Sequence, residues 1–265
     1  MYSAFQLAKK YLHYYFHASN GKGHGVHSPF VFDFIQHVLN DKKEYGCYGT
    51  IESQRKQLLR TKELIEVEDL GAGSVLIKTT KRAVNKIAAS SLKQRKYAQL
   101  LYRIAQYYKP KTIVELGTSF GISTSYLASG NPNAVVYTLE GAASIASIAR
   151  EQFERLQLKN IHLLQGDFDK TLPGFLSSVQ QTDLAFIDGN HRKEPTLAYF
   201  EQLLKLSSSS SMIILDDIHW SAGMEEAWEQ VKQHPKVTLT IDLFFIGIIC
   251  MSSDIKVKQH FSVRF

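Results

Sequence analysis

From residue 112 onward, short apolar runs alternate with longer stretches in which apolar residues recur every third or fourth position. Short runs bounded by turn residues are strands, and the 3.6-residue repeat is that of an amphipathic helix. Strands are predicted at 112–116, 134–139, 161–164, 183–187 and 212–215, with helices at 143–156, 172–179, 194–206 and 224–233. A last pair, 237–243 and 245–251, is expected to run antiparallel, and the serines at 207–211 read as a helix-to-strand loop. Alternation of this kind builds a mostly parallel sheet with helices on both faces, here with seven strands.

The first part of the chain has a different pattern. Phe5, Leu7, Tyr11, Leu12, Tyr15 and Phe16 fall at helical spacing in residues 1–20. A glycine-rich loop follows, and Ser28 and Pro29 read as the N-cap and first position of a helix over 31–39. Further helices are expected at 51–67, 82–92 and 97–108, the last ended by Pro110. The expected division is a helical extension or lid over 1–95 and an α/β domain over 96–265. His13, His17, His24 and His27 cluster in sequence, but no carboxylate or cysteine stands at ligand spacing, so a metal is not expected there. Glu68-Asp69-Leu70-Gly71-Ala72-Gly73-Ser74 looks like a second ligand-binding turn. The charged residues before it do not suit a central parallel strand, so it is read as a linker.

The decisive stretch is residues 111–124. The strand ending at Leu116 runs into a turn with Gly117 and Gly121, and then into a helix. Glycines let the backbone turn and approach a ligand closely. Ser123 and Thr124 are placed to cap the new helix, whose free N–H groups form an anion site. A dinucleotide turn would read G-x-G-x-x-G; here the glycines stand four apart, and Glu115 precedes them. That carboxylate repels a pyrophosphate and suits an ammonium or sulfonium group.

Charge and composition narrow the setting. The chain has 265 residues, 44% of them hydrophobic, and a net charge of +6. Residues 1–109 carry 18 Lys and Arg against 8 Asp and Glu; the rest carry 13 against 17. The basic residues are scattered, which favours solvated helix faces over a nucleic-acid surface. Cys47 and Cys250 have no metal-type spacing and form no disulfide framework, so a reducing, cytoplasmic setting is expected. The longest apolar run, 239–251, is too short and too interrupted to span a bilayer, and no membrane partner is expected.

The pattern Glu115-Leu116-Gly117-Thr118-Ser119-Phe120-Gly121-Ile122-Ser123 resembles the class I S-adenosylmethionine-dependent methyltransferases, nearest to the small-molecule O-methyltransferases. The resemblance spans about residues 95–251 and implies their Rossmann-like fold. It implies a cofactor site of Glu115, Gly117, Thr118, Gly121, Ser123, Glu140, Gly141, Asp167, Phe168 and Asp188. Glu140 ends the second strand, where a carboxylate can accept both ribose hydroxyls. The family places an acid such as Asp167 at the adenine amino group, with Phe168 against the ring.

Asp188 ends the fourth strand, and Asp216 and Asp217 end the fifth. Three adjacent carboxylates call for a divalent cation, and Mg²⁺ takes such oxygens. Metal-dependent O-methyltransferases carry an Asp after strand four and Asp-Asn after strand five; this chain has Asp-Asp at the latter. His191, three residues past Asp188, stands where the catechol type has a lysine base, and Asp-x-x-His resembles the macrolide-sugar O-methyltransferases. His191 and Asp188 are therefore the expected catalytic pair, with His219 and Trp220 near the acceptor. The acceptor is expected to be a small-molecule hydroxyl, and the assembly a homodimer. A nicotinamide oxidoreductase would need the missing dinucleotide turn. An RNA or DNA amino-methyltransferase would carry Asn/Asp-Pro-Pro-Tyr where this chain has Asp188-Gly189-Asn190-His191.

Overall fold

The structure, a computed structural model, describes residues 1–19, 21–23, 26–69 and 78–265. These fall into two compact units, Lys42–Ser178 and the pair Met1–Asp41 with Val179–Phe265. The described strands form an eight-stranded mixed sheet and a separate two-stranded ribbon. The expected α/β architecture is thus present, with one strand more than predicted in the main sheet and the ribbon besides.

In Lys42–Ser178, helix α3 (Gly46–Leu58) is followed by strands β1 (Leu64–Asp69) and β2 (Lys78–Ala83), then helices α4 (Val84–Ser91) and α5 (Arg95–Tyr108). The helices expected at 51–67 and 82–92 are therefore corrected: their ends form an antiparallel ribbon. Opposite charges face each other across it, as in Glu66 with Lys81, so the ribbon forms without the apolar run of a buried strand. The proposed linker begins in β1, and its residues 70–74 lie outside the described residues.

Strands β3 (Thr112–Leu116), β4 (Val135–Glu140) and β5 (Ile161–Gln165) pair in parallel in that order, joined by helices α6 (Ile122–Gly130) and α7 (Ala143–Arg155). Helix α8 (Phe168–Leu176) begins four residues earlier than predicted, because Asp167 caps it and the missing N–H of Pro173 is tolerated in a short helix. Tyr48, Ile51, Ile87, Tyr102, Phe120 and Tyr126 lie in one buried cluster. A fully buried side chain of this size contributes about 1.5–3 kcal/mol.

In the other unit, helix α1 (Ala4–His17) starts with a capping box between Ser3 and Gln6. Helix α2 (Pro29–Phe34) begins at the expected proline and runs into a π-helical turn over Ile35–Leu39. Then come β6 (Thr182–Ile187), α9 (Lys193–Lys205), β7 (Ser207–Asp216), α10 (Ala222–Gln233), β8 (Leu239–Asp242), β9 (Ile246–Cys250) and β10 (Gln259–Ser262). The order is β10-β8-β9-β7-β6. β6 and β7 are parallel, and β9 runs antiparallel to both β7 and β8, as expected for the last pair.

Two expectations fail in this unit. The serine run is the first half of β7, because Ser211 donates to the Thr182 carbonyl at 2.7 Å and the backbone stays extended. The eighth strand, β10, pairs in parallel with β8. Its sequence, Gln259-His260-Phe261-Ser262, has no apolar run to announce it.

Candidate functional site

The glycine turn is a clasp built around two carboxylates. Gly117 and Gly121 have φ of 104° and 79°, the left-handed region where only glycine is unstrained. A Cβ on Gly121 would stand 2.4 Å from the Phe153 ring. The N–H groups of Gly117 and Thr118 both donate to the Leu139 carbonyl, at 3.0 and 3.1 Å, which ties the turn to the end of β4.

Glu140, at that strand end, holds the turn from its side chain. One carboxylate oxygen accepts the Ser119 N–H at 2.9 Å, and the other accepts the Ala142 N–H at 3.0 Å. Burial raises its pKa, and these backbone donors, with Gly141, oppose the shift. A carboxylate has about four lone-pair positions. The Ser119, Ala142 and Gly141 donors engage most of these, which leaves capacity for a further donor.

Glu115 sits deeper than the sequence suggested. It is fully buried. Its Oε2 accepts hydrogen bonds from Thr124, and from Thr138 at 2.6 Å; Thr138 is in turn 2.6 Å from Thr118. Its Oε1 is buried without a hydrogen-bond partner. Burial pushes its pKa up to about 7, against the hydroxyls of Ser123, Thr124 and Thr138. The expected cap role of Ser123 and Thr124 is corrected. Gly121 is the N-cap residue and no side chain caps the helix; Thr124 is turned to Glu115 instead. Thr138 was not singled out from the sequence, although a threonine inside an otherwise apolar strand was a usable signal.

Asp167 caps α8, its Oδ1 accepting the Asp169 N–H at 3.1 Å. Phe168 is half-buried beside it. Glu115, Gly117, Thr118, Gly121, Ser123, Glu140, Gly141, Asp167 and Phe168 all belong to Lys42–Ser178.

The second group belongs to the other unit. Ligand atoms of Asp188, His191 and Asp216 lie within 4.8 Å of one another. Asp216, the last residue of β7, is buried. Nε2 of His191 is 3.6 Å from Oδ1 of Asp188. Asp217 is not part of this group; its φ of 53° turns it away from the strand, and its N–H donates to the Phe245 carbonyl at 2.6 Å. Asn190 and His191 have φ of 70° and 27°, consecutive residues in a region that costs a non-glycine residue about 1–3 kcal/mol. Asn190 is held there by bonds to Tyr199 and Arg192. His191 is thereby presented beside the carboxylates.

His219 is ligated within the protein: Nδ1 is 3.0 Å from Glu225 and Nε2 is 2.8 Å from Asp242. The histidines of the first helix stack on each other, His13 on His17 at 4.0 Å, while His24 lies outside the described residues.

Residues 114–218 match the family model described as "Methyltransferase domain". A catechol O-methyltransferase of Niastella koreensis is 33% identical over 128 residues, covering 47% of this chain and 56% of that enzyme. The chain thus spans about half the length of that curated relative. Among solved structures, a Podospora anserina methyltransferase bound to S-adenosylhomocysteine superimposes with a TM-score of 0.60 at 15% identity, over 85% of this chain and 97% of that one. An O-methyltransferase from Bacillus cereus, in complex with the same molecule, gives 0.54 at 22% identity, over 83% and 97%. These likenesses agree with the glycine turn and the strand-end carboxylates: residues 114–218 are similar to a methyltransferase domain, and the chain has the fold of the class I S-adenosylmethionine-dependent methyltransferases.

Proposed function

We propose that this protein transfers a methyl group from S-adenosylmethionine to a small-molecule hydroxyl, with a divalent cation assisting. The observation that carries the methyl-donor reading is Glu140. It clamps the glycine turn from the end of β4 through both carboxylate oxygens, the strand-end position from which a carboxylate accepts ribose hydroxyls. Gly117 and Gly121 give the turn its left-handed backbone, and Asp167 and Phe168 supply a polar group and a ring at the next strand end. Glu115 lies buried behind the turn among hydroxyls, with its pKa raised to about 7, and a cationic donor in front of the turn would draw it toward its ionised form.

Asp188 and Asp216 fit a divalent cation by donor chemistry and would hold it: their carboxylate oxygens suit Mg²⁺ or Mn²⁺, with His191 serving as a base beside them and not as a ligand. Such a cation lowers the pKa of a hydroxyl it binds. His191 accepts the acceptor's proton, a role open to an imidazole near neutral pH. Asp188 then holds the protonated ring electrostatically. The protein's remaining contribution is alignment, which reaches about 7–11 kcal/mol in favourable cases. The likeness to the Niastella catechol O-methyltransferase supports an oxygen acceptor, and the Asp-x-x-His spacing supports His191 as base.

Calorimetric titration with S-adenosylmethionine and S-adenosylhomocysteine, in Mg²⁺ and in EDTA, tests this reading. Micromolar binding lost in Glu140→Ala is the expected result. Absence of binding in both conditions would overturn it and leave the turn a structural one.

A further inference from the structure

Helix α1 has two apolar faces, and the protein uses one. Tyr14 and Ala18 are buried with Phe244, and Leu7, Tyr11 and Phe245 pack round them. On the other face Phe5, Leu12 and Phe16 are 80%, 55% and 71% exposed. Their spacing of seven and four sets them in one line along the helix. A surface helix needs a single apolar stripe to dock on its own core, so the second stripe is surplus to folding.

The charge around that line is of one sign. No Asp or Glu occurs in residues 1–32, and Lys9 falls in the line between Phe5 and Leu12. Lys10 is on the inner side and is spent on Glu225, at 2.9 Å. A second copy laid along the same stripe would bring Lys9 against a helix that also lacks carboxylates. The stripe runs along one side of the helix, about 16 Å from Phe5 to Phe16 at 1.5 Å per residue. Aromatic and aliphatic side chains with a lysine among them, on a helix lying flat, match the boundary of an anionic bilayer.

We propose that α1 docks on an anionic lipid surface through Phe5, Leu12 and Phe16, with Lys9 against the headgroups. The docking is peripheral, since no helix of the described residues is long and apolar enough to cross a membrane. It revises the expectation of no membrane partner, which rested on the lack of a spanning segment. It is independent of the reaction proposed above.

The full chain is sedimented with vesicles of phosphatidylcholine alone and of phosphatidylcholine with equimolar phosphatidylglycerol. Expected is sedimentation with the mixed vesicles only, weakened by salt. Phe5→Ser with Phe16→Ser should lower the bound fraction at least tenfold, with an unchanged far-ultraviolet circular dichroism spectrum. Lys9→Glu should weaken binding to the anionic vesicles alone. Failure to sediment with either vesicle would overturn the proposal, as would equal sedimentation of wild type and the double variant. A dimer by light scattering that becomes a monomer in the double variant would overturn it too, and give the stripe to a second copy of the chain.

Discussion

The hydroxyl of Tyr2 donates to Glu225, 223 positions away in sequence, at 2.7 Å. Lys10 reaches the same carboxylate, and His219 joins it to Asp242. The N–H of Tyr2 donates to the Trp220 carbonyl at 3.0 Å. The start of the chain thus braces the segment that follows Asp216 and Asp217. Removing the Tyr2 hydroxyl in Tyr2→Phe should cost about 1 kcal/mol in chemical denaturation. It should also raise amide hydrogen exchange at 217–221. Unchanged exchange there would show that the brace is not felt by the loop.

The same network sets a pH window. Burial alone would lower the pKa of His219, but Asp242 and Glu225 outweigh it and hold it above its ordinary 6.5. Burial alone would raise Glu225, but Lys10, Tyr2 and His219 outweigh it and hold it below 4.5. The His219 contribution is complete below 6.5 and lost as pH rises through its folded value. The Glu225 contribution is complete above 4.5 and lost as pH falls through its folded value. The network is therefore strongest in mild acid, between the two. Stability curves of wild type and His219→Gln should converge as pH is raised through neutrality.

Glu115 acts in the opposite sense to a salt-bridged acid. Its folded pKa of about 7 lies above its ordinary 4.5, so its favourable contribution is complete below 4.5 and lost as pH rises to 7. Ionising it in place costs on the order of 3 kcal/mol at one pKa unit per 1.36 kcal/mol. Glu115→Gln should accordingly be more stable than wild type at pH 8 and show a flatter stability profile from pH 5 to 8. If S-adenosylmethionine binding also falls, the carboxylate serves the donor as well.

Gly121→Ala meets both a positive φ and the Phe153 ring at 2.4 Å. The backbone costs about 1–2 kcal/mol and the forced contact about 1–3. Phe153→Ala in the same chain should recover the steric part only. Thermal unfolding of the single and double variants measures each.

Asp188→Asn and Asp216→Asn should each weaken Mn²⁺ binding by a factor on the order of 10–100, a range that even supporting residues of metal sites reach. Asp217→Asn should weaken it less, since Asp217 stands outside the cluster. Electron paramagnetic resonance of free Mn²⁺ measures all three. A larger loss with Asp217→Asn would restore the carboxylate trio expected from the sequence.

What the sequence made legible follows from where burial is strict. β3 was predicted to the residue because Ile113, Val114 and Leu116 make a short apolar run, preceded by Pro110 and closed by Gly117. β1 and β2 were hidden because a solvent-facing ribbon is stabilised by facing charges, which a search for apolar runs passes over. The positions of Glu140, Asp188 and Asp216 at strand ends were readable because each closes a short apolar run of the kind a buried parallel strand requires. The inward turn of Glu115 was not readable. It depends on three hydroxyls, two from a helix and one from the neighbouring strand, that come together only in the folded turn. Likewise, the exchange of Asp217 for His191 in the cluster depends on left-handed backbone at Asn190, His191 and Asp217, which no residue type there demands.

The unit formed by Met1–Asp41 and Val179–Phe265 is stitched together late in the chain: Ser19 pairs with Val263, and Tyr14 donates to the Val263 carbonyl. On a ribosome, α1 is made more than 200 residues before the Phe244, Phe245 and Val263 that cover its inner face. At about 5–20 residues per second, the delay is on the order of tens of seconds. Throughout that time both apolar stripes of α1 are bare, so the nascent chain offers a chaperone a far stickier helix than the finished protein does. The continuous unit between them has no such wait, and synthesis itself orders the assembly of this fold from the middle outward.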